Sequence, residues 1–120
     1  MNRKRILAVD DDPNFLEFIE DCLEDEAPDL YEVVTTLDGK TCLNYIESRD
    51  FDLLLIDLIM PGISGLDILK FNKNHSNIKS IIISGCGDAE LVNQAKSISD
   101  YFIEKPFVPS DLHHTISKIL

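Results

Sequence analysis

The sequence predicts an α/β protein, an open parallel sheet with helices packed on both of its faces. Short apolar runs rich in Ile, Leu and Val alternate five times with segments of helical spacing. A continuous apolar run is typical of a strand that is buried on both faces, as strands of a parallel sheet are. With 120 residues, 44% of them hydrophobic, residues 1–120 are expected to form a single domain.

Each of the five strands is predicted from its own apolar run. The second run is the weakest because Thr and Glu interrupt it, and the fifth lies directly before a Lys-Pro pair. In chain order the runs are RILAV (5–9), YEVVTT (31–36), FDLLLID (51–57), SIIIS (80–84) and DYFIE (100–104).

The segments between these runs have the spacing of amphipathic helices. The first is predicted to begin with Asp12 as its N-cap and Pro13 at its first helical position. Its apolar side chains, among them Phe15, Ile19 and Leu23, then share one face. The last has Ser110 or Asp111 near its cap. The four later segments are residues 39–48, 65–74, 88–99 and 109–120.

The charge and the cysteines exclude several classes of function. A formal net charge of −11 disfavours direct contact with nucleic acid or with an anionic membrane. Cys22, Cys42 and Cys86 are odd in number and far apart, so neither a disulfide framework nor a zinc site is expected. The apolar run 6–9 is too short for a signal peptide, so the predicted location is the cytoplasm.

Polar side chains follow four of the five predicted strands. Asp10 and Asp11 come after the first strand, Asp57 after the third, Ser84 after the fourth and Lys105 after the fifth. Ligands of open α/β sheets bind at the carboxyl ends of the strands, so these groups are expected to converge. Carboxylates without nitrogen or sulfur ligands suit a hard cation such as Mg²⁺. Beside that cation and an ammonium group, the carboxylate of Asp57 could attack a phosphoryl group.

Each of these residues also has a simpler interpretation. Asp10 and Asp11 could form an acidic turn that caps a helix, and Asp57 could be a turn residue before Met-Pro-Gly. Ser84 could merely close a strand, and Lys105 could lie on the surface before a turn. The three histidines lie away from the strand ends and are expected to be solvated or structural. The functional interpretation therefore depends on the residues acting together.

The same residues resemble those of a known family, the receiver domains of two-component response regulators. ILAVDDDP is similar to the family's first strand and acidic pair, and LLLIDLIMPGISG to its phospho-acceptor strand and loop. IIISG is similar to the switch strand and EKPF to the Lys-Pro corner. The resemblance covers essentially the whole chain.

The resemblance implies a three-layer, flavodoxin-like sheet of order 2-1-3-4-5 and a cis Lys105–Pro106 bond.

The resemblance also implies a role in signalling rather than metabolic catalysis, with a phosphoryl group taken from the phosphohistidine of a sensor kinase or phosphotransfer protein. The metal would be Mg²⁺, for which Mn²⁺ could substitute. Partners would be an output domain or a downstream protein, and a homodimer could form through helix 4, strand 5 and helix 5. The implied roles are Asp57 as acceptor, Asp10, Asp11 and Asp57 with the Ile59 backbone carbonyl as metal ligands, Ser84 and Phe102 as switch residues, and Lys105 as phosphate ligand.

The sequence departs from the family pattern at several positions. Ile98 and Ser99 stand where many members have Gly-Ala, and Phe102 replaces the commoner Tyr. Ile59 and Cys86 flank the expected path of water to the phosphorylated aspartate, and neither positions water well, so a long-lived phosphoryl state is expected.

Three rival functions remain beside this one. A haloacid-dehalogenase-type phosphatase also has an Asp-x-Asp strand end, but it would leave Asp57 without a role. A receiver that binds partners without phosphorylation, and a flavin-binding module, are the others. The sequence fits either a stand-alone regulator or a module of a longer one.

Overall fold

Strands and helices alternate strictly along the chain. The computed structural model describes residues 3–26, 29–85 and 88–120. The strands are β1 (Lys4–Val9), β2 (Tyr31–Thr36), β3 (Leu53–Asp57), β4 (Lys79–Ser84) and β5 (Tyr101–Glu104). The helices are α1 (Pro13–Glu26), α2 (Gly39–Ser48), α3 (Gly65–His75), α4 (Ala89–Ile98) and α5 (Pro109–Ile119).

All five strands form one parallel sheet in the order β2-β1-β3-β4-β5. This order confirms the predicted three-layer, doubly wound architecture. The strand order reverses between β1 and β3, which are neighbours in the sheet although β2 separates them in the chain. Ligands of such sheets bind outside the carboxyl ends of the strands at this reversal.

Two apolar layers hold the helices on the sheet. One face, with Ile6, Ala8 and Leu55, packs against α1 and α5, and the other, with Leu7 and Leu54, packs against α2, α3 and α4. Because successive residues of a strand point to opposite faces, strands flanked by helices on both sides must be apolar at every position. The burial of all five residues of β3 shows this directly.

Two strands begin later than the apolar pattern predicts. Strand β3 begins at Leu53 rather than at residue 51, and the Asp52 carboxylate accepts a hydrogen bond from the backbone N–H of Arg5 at 2.8 Å. Strand β5 begins one residue later, and the Asp100 carboxylate accepts from the Ser80 N–H at 2.8 Å. In both places an aspartate side chain binds the backbone of the neighbouring strand just before its own strand starts.

The start of α5 agrees with its prediction. Val108 is the N-cap and Pro109 the first helical residue, and Ser110 and Asp111 lie near the cap as expected. The Asp111 carboxylate lies in the first turn and accepts from the Val108 N–H at 3.4 Å. The acidic residue satisfies an unpaired N–H of the helix start, from three positions further on.

Helix α3 starts in contact with the backbone that leaves β3. A Cβ added to Gly65 would lie 2.7 Å from the Leu58 Cα and still closer to the Asp57 carbonyl oxygen. The Gly65 N–H donates to the Leu58 carbonyl at 3.1 Å, and Ser64 and Asp67 form a capping box in front of it. Only glycine permits this approach, which fixes the loop after Asp57.

Among the helices in the described part of the chain, none is long and apolar enough to cross a lipid bilayer.

Candidate functional site at the carboxyl edge of the sheet

The turn after β1 contains two carboxylates that differ in their exposure to solvent. Asp10 is buried, with 2% of its surface exposed, and Asp11 is exposed. Asp10 Oδ1 accepts a hydrogen bond from the Asp12 N–H at 2.9 Å, and Asp12 Oδ1 accepts from the Asn14 N–H at 3.0 Å. The carboxylate of Asp12 thus occupies the cap of α1, which leaves Asp10 and Asp11 to face the edge of the sheet.

Asp57 is the last residue of β3 and lies beside this turn. It is 9% exposed and pairs with Ile83 in the register of β4. One carboxylate oxygen from each of Asp10, Asp11 and Asp57 lies within 4.8 Å of the others. The structure therefore brings the three aspartates together at the carboxyl ends of β1 and β3.

Lys105 extends from the end of β5 into the aspartate cluster. Its Nζ lies 3.2 Å from Asp10 Oδ2 and 3.6 Å from Asp57 Oδ1. Its backbone N–H donates to the Ser84 carbonyl at 3.1 Å, which joins the ends of β4 and β5, and the Lys105–Pro106 peptide bond is cis. The lysine is thus anchored at its backbone and ion-paired at its tip.

Burial raises the pKa of the two inner carboxyl groups. The pKa of Asp57 rises from an ordinary value of 3.8 to about 6, mainly by desolvation and next by the charge of Asp10, while Lys105 opposes the rise. The pKa of Asp10 is also raised, again mainly by desolvation. The ionised forms of both groups are therefore less stable here than in water.

The donor set fits a hard divalent cation. It consists of carboxylate oxygens, with Lys105 as the ammonium ion-paired with them among the residues that the structure describes. Mg²⁺ prefers oxygen ligands and binds through one or two carboxylates together with water and phosphate oxygens. A cation beside Asp10 and Asp57 would stabilise their ionised carboxylates, whose pKa values burial raises.

The other predicted site residues lie around this cluster. Ser84 is buried at the end of β4, and Ile59, two residues beyond Asp57, is 50% exposed. Phe102 is half-buried in β5 and packs against the core on the α4 side, with Lys96 Nζ 5.0 Å from its ring centroid. Cys86 lies outside the described residues.

One aromatic contact of the site was not predicted. The Phe15 ring lies under the Lys105 ammonium, with 4.0 Å between Nζ and the ring centroid. The helical spacing predicted Phe15 only as part of the buried face of α1. No sequence signal relates residues 15 and 105, because their contact depends on how α1 and the loop after β5 pack together.

The raised pKa of Asp57 predicts a pH-dependent stability of the metal-free protein. The folded state binds a proton to Asp57 more tightly than the unfolded state does, so this group costs stability as the pH rises from about 4 to about 6. Asp57→Asn removes the charge. The free energy of unfolding of this variant minus that of the wild type should therefore increase by up to about 3 kcal/mol across this range.

Urea denaturation in EDTA, followed by circular dichroism across this pH range, measures the difference. The matched control is Asp50→Asn, at an exposed position, for which the difference from wild type should stay constant. A difference for Asp57→Asn that does not change with pH would contradict the raised pKa of Asp57.

Comparison with known proteins identifies relatives of this chain. Residues 6–117 match the sequence model of the family described as the response regulator receiver domain. The response regulator GtcR of Aneurinibacillus migulanus is 34% identical over 107 residues, which cover 88% of this chain and 43% of the relative. The DNA-binding response regulator MtrA of Mycolicibacterium smegmatis is 31% identical over 92% of this chain and 47% of the relative. The chain thus spans about half the length of these curated relatives.

Solved structures share the fold. A response regulator receiver domain protein (CheY-like) from Methanospirillum hungatei superposes with a TM-score of 0.87 at 33% identity, covering 98% of this chain and 93% of that one. The response regulator protein TrrA from Thermotoga maritima, in complex with Mg²⁺–BeF, superposes with a TM-score of 0.85 at 31% identity. That match covers 98% of this chain and 99% of TrrA.

Proposed function

This chain belongs to the response regulator receiver domain family, a family of two-component signal transduction, and we propose that its Asp57 is the residue that accepts the phosphoryl group. The donor would be the phosphohistidine of a sensor kinase or phosphotransfer protein. The observation that carries the proposal is the convergence of Asp10, Asp11 and Asp57 with Lys105 at the carboxyl edge of the sheet. The family match sets aside the phosphatase and flavin-binding alternatives.

The metal of the proposed site is Mg²⁺, with Mn²⁺ as a possible substitute. Asp10, Asp11, Asp57 and the backbone carbonyl of Ile59 would hold it, and its charge would neutralise oxygens of the transferring phosphoryl group. Support comes from the all-oxygen donor set. The Mg²⁺–BeF complex of TrrA, which has the same fold, also supports it.

Asp57 and Lys105 have the other two roles in phosphoryl transfer. The Asp57 carboxylate attacks phosphorus, so that a P–O bond forms while the P–N bond to the donor imidazole breaks and its electron pair leaves on nitrogen. A pKa of about 6 leaves most of Asp57 ionised at neutral pH, as a nucleophile must be. The Lys105 ammonium, already 3.6 Å from Asp57 Oδ1, binds an oxygen of the phosphoryl group.

The phosphorylated aspartate then shifts a two-state equilibrium. Ser84 and Lys105 move toward the phosphoryl oxygens, and Phe102 reorients into the space that Ser84 leaves. The affected surface is the face of α4, β5 and α5, since Phe102 lies between β5 and the core below α4. Because Phe102 lacks the phenol of Tyr, one hydrogen bond that could hold its inward position is missing.

The partners follow from this switch. The curated relatives are about twice as long as this chain, so an attached output domain or a separate downstream protein would read the switched face. A homodimer through α4, β5 and α5 is an alternative. With a net charge of −11 the chain itself would not contact DNA or an anionic membrane, and it would act in the cytoplasm.

Metal binding is tested by titrating the protein with Mg²⁺ while amide NMR shifts are recorded, because the chain has no Trp for fluorescence. Asp11→Asn should weaken Mg²⁺ binding about 10-fold or more, since it removes an anionic ligand. Asp12→Asn is the matched control and should bind Mg²⁺ like the wild type, because Asn also caps helices well. Equal affinities for both variants would contradict the ligand assignment.

The proposed phosphoryl state should be long-lived, because the exposed Ile59 offers water neither a base nor a hydrogen-bond partner. Ile59→Asn should accelerate dephosphorylation on the order of 10-fold by positioning the attacking water. Ile59→Val, which stays apolar, serves as the control. The decay of phosphoprotein after removal of the donor gives both rates, and an unchanged rate in Ile59→Asn would contradict this role of position 59.

A further inference from the structure

The Lys105 ammonium has an aromatic partner as well as two carboxylates. Its Nζ lies 4.0 Å from the Phe15 ring centroid, 3.2 Å from Asp10 Oδ2 and 3.6 Å from Asp57 Oδ1. A cation at this distance from a ring is attracted by the negative charge of the ring face. Of these three partners of the ammonium, Phe15 is the uncharged one.

The Phe15 ring is itself fixed by two other rings, with which it forms the ring cluster Phe15, Phe18 and Phe107. The ring centroids of Phe15 and Phe107 are 6.0 Å apart in an edge-on arrangement. The Phe18 centroid lies 5.9 Å from that of Phe15 and 5.8 Å from that of Phe107. Phe107 lies two residues beyond Lys105, and Phe15 lies in the first turn of α1, two residues after Pro13. The cluster thus joins the first turn of α1 to the loop that carries the lysine.

A lysine side chain needs such a restraint to act as a fixed ligand. Its four-carbon stem has several rotatable bonds and loses considerable entropy when it is held in one place. The side chain of Lys105 is still 28% exposed, so water competes for the ammonium. A ring against the ammonium excludes part of that water.

The uncharged partner has an advantage over the carboxylates. A metal ion would bind the carboxylates of Asp10 and Asp57, and the phosphoryl group would bond to Asp57. The ion pairs of Lys105 with these two residues would therefore weaken as the site fills. The Phe15 ring carries no charge and competes with neither the metal ion nor the phosphoryl group for the carboxylates.

We propose that Phe15 is a positioning residue for phosphoryl transfer, whose ring holds the Lys105 ammonium beside Asp57 before the phosphoryl group arrives. The inference rests on the proposed function of Asp57 and Lys105. It adds a residue of α1 that touches neither the metal nor the phosphoryl group and acts only through the lysine. Pre-organised charge of this kind lowers the barrier because it need not be ordered during the reaction.

Fluorinated phenylalanines at position 15 test the attraction directly. One, two or three ring fluorines withdraw negative charge from the ring face while changing its size little. The initial rate of phosphorylation by acetyl phosphate with Mg²⁺ should fall stepwise with each fluorine, by about 3- to 10-fold in total, as expected for a cation–π contact. The same series at Phe51, whose ring centroid lies 4.9 Å from Arg5 Cζ, is the matched control and should leave the rate unchanged, because it alters a cation–π contact outside the ring cluster.

A second measurement does not depend on phosphorylation. In the metal-free protein the ring current of Phe15 should displace the ε-proton resonance of Lys105 upfield. Phe15→Tyr should keep this displacement and Phe15→Leu should lose it.

The outcomes separate this inference from the proposed function. A wild-type protein that is phosphorylated, together with a flat fluorine series at position 15 or an ε-proton shift that is the same in Phe15→Leu, overturns the positioning role alone. A wild-type protein that takes no phosphoryl group overturns both. A stepwise fall at position 15 with no change at position 51 supports both.

Discussion

Asp57→Asn will take no phosphoryl group from acetyl phosphate in the presence of Mg²⁺, whereas the wild type will take one. The substitution keeps the size of the side chain and removes the nucleophilic carboxylate, so the P–O bond of an acyl phosphate cannot form. The buried Asn should leave the fold intact, because the carboxylate it replaces is destabilised by desolvation and by the charge of Asp10. Intact-mass spectrometry measures the uptake.

Asp50→Asn, at an exposed loop position, is the control for this substitution and should take up the phosphoryl group like the wild type. Uptake by Asp57→Asn at the wild-type rate would show that another residue accepts the group. The Asp10 and Asp11 carboxylates would then be the first candidates, since they share the cluster with Asp57.

Lys105→Met will slow phosphorylation by about 100-fold or more, the usual effect of removing one pre-organised charge from a transition state. Met keeps the length of the stem but removes the ammonium that lies 3.2 Å from Asp10 Oδ2 and 3.6 Å from Asp57 Oδ1. Binding of Mg²⁺ should persist or tighten, because a cation that competes for the same carboxylates is gone. The two measurements are the rate of phosphorylation and the Mg²⁺ titration described above.

The matched control is Lys79→Met, which removes an exposed ammonium 3.9 Å from Asp100. Exposed ion pairs contribute little, so both the rate and the Mg²⁺ affinity should stay at wild-type values. A Lys105→Met variant that is phosphorylated as fast as the wild type would contradict the role of the lysine as a phosphate ligand.

The order of the elements could be predicted because the signals are local. Strands buried on both faces need continuous apolar runs. The first helix has a cap in Asp12, and Pro13 at its first position has no N–H that could be left unpaired. The convergence of the polar strand ends was predictable for the same reason, since the carboxyl ends of parallel strands share one edge. The chemical roles of the residues stay predictions, because geometry alone does not show a bound metal or a phosphoryl group.

Features that depend on packing between distant segments could not be predicted. The contact of Gly65 with the backbone after β3 needs the position of α3, and the contact of Phe15 with Lys105 needs that of α1. The role of buried Asn72 was also missed, although its partner is close in sequence: its amide accepts from the Ile78 N–H at 3.0 Å and donates to the Ile78 carbonyl at 2.8 Å. This contact depends on the conformation of the turn between α3 and β4. The half-buried His113, beside the Tyr31 ring, is a further example of packing between distant segments.

The most direct test of the proposed chemistry is the intact mass of the wild-type protein after incubation with acetyl phosphate, in Mg²⁺ and in EDTA, followed by treatment with hydroxylamine. Hydroxylamine cleaves acyl phosphates and leaves phosphate esters. We predict a gain of one phosphoryl group in Mg²⁺ alone, which hydroxylamine then removes. No gain in a folded protein that binds Mg²⁺, or a gain that resists hydroxylamine, would contradict phosphorylation of an aspartate. The absence of any gain would instead indicate a receiver domain that works through its unphosphorylated form.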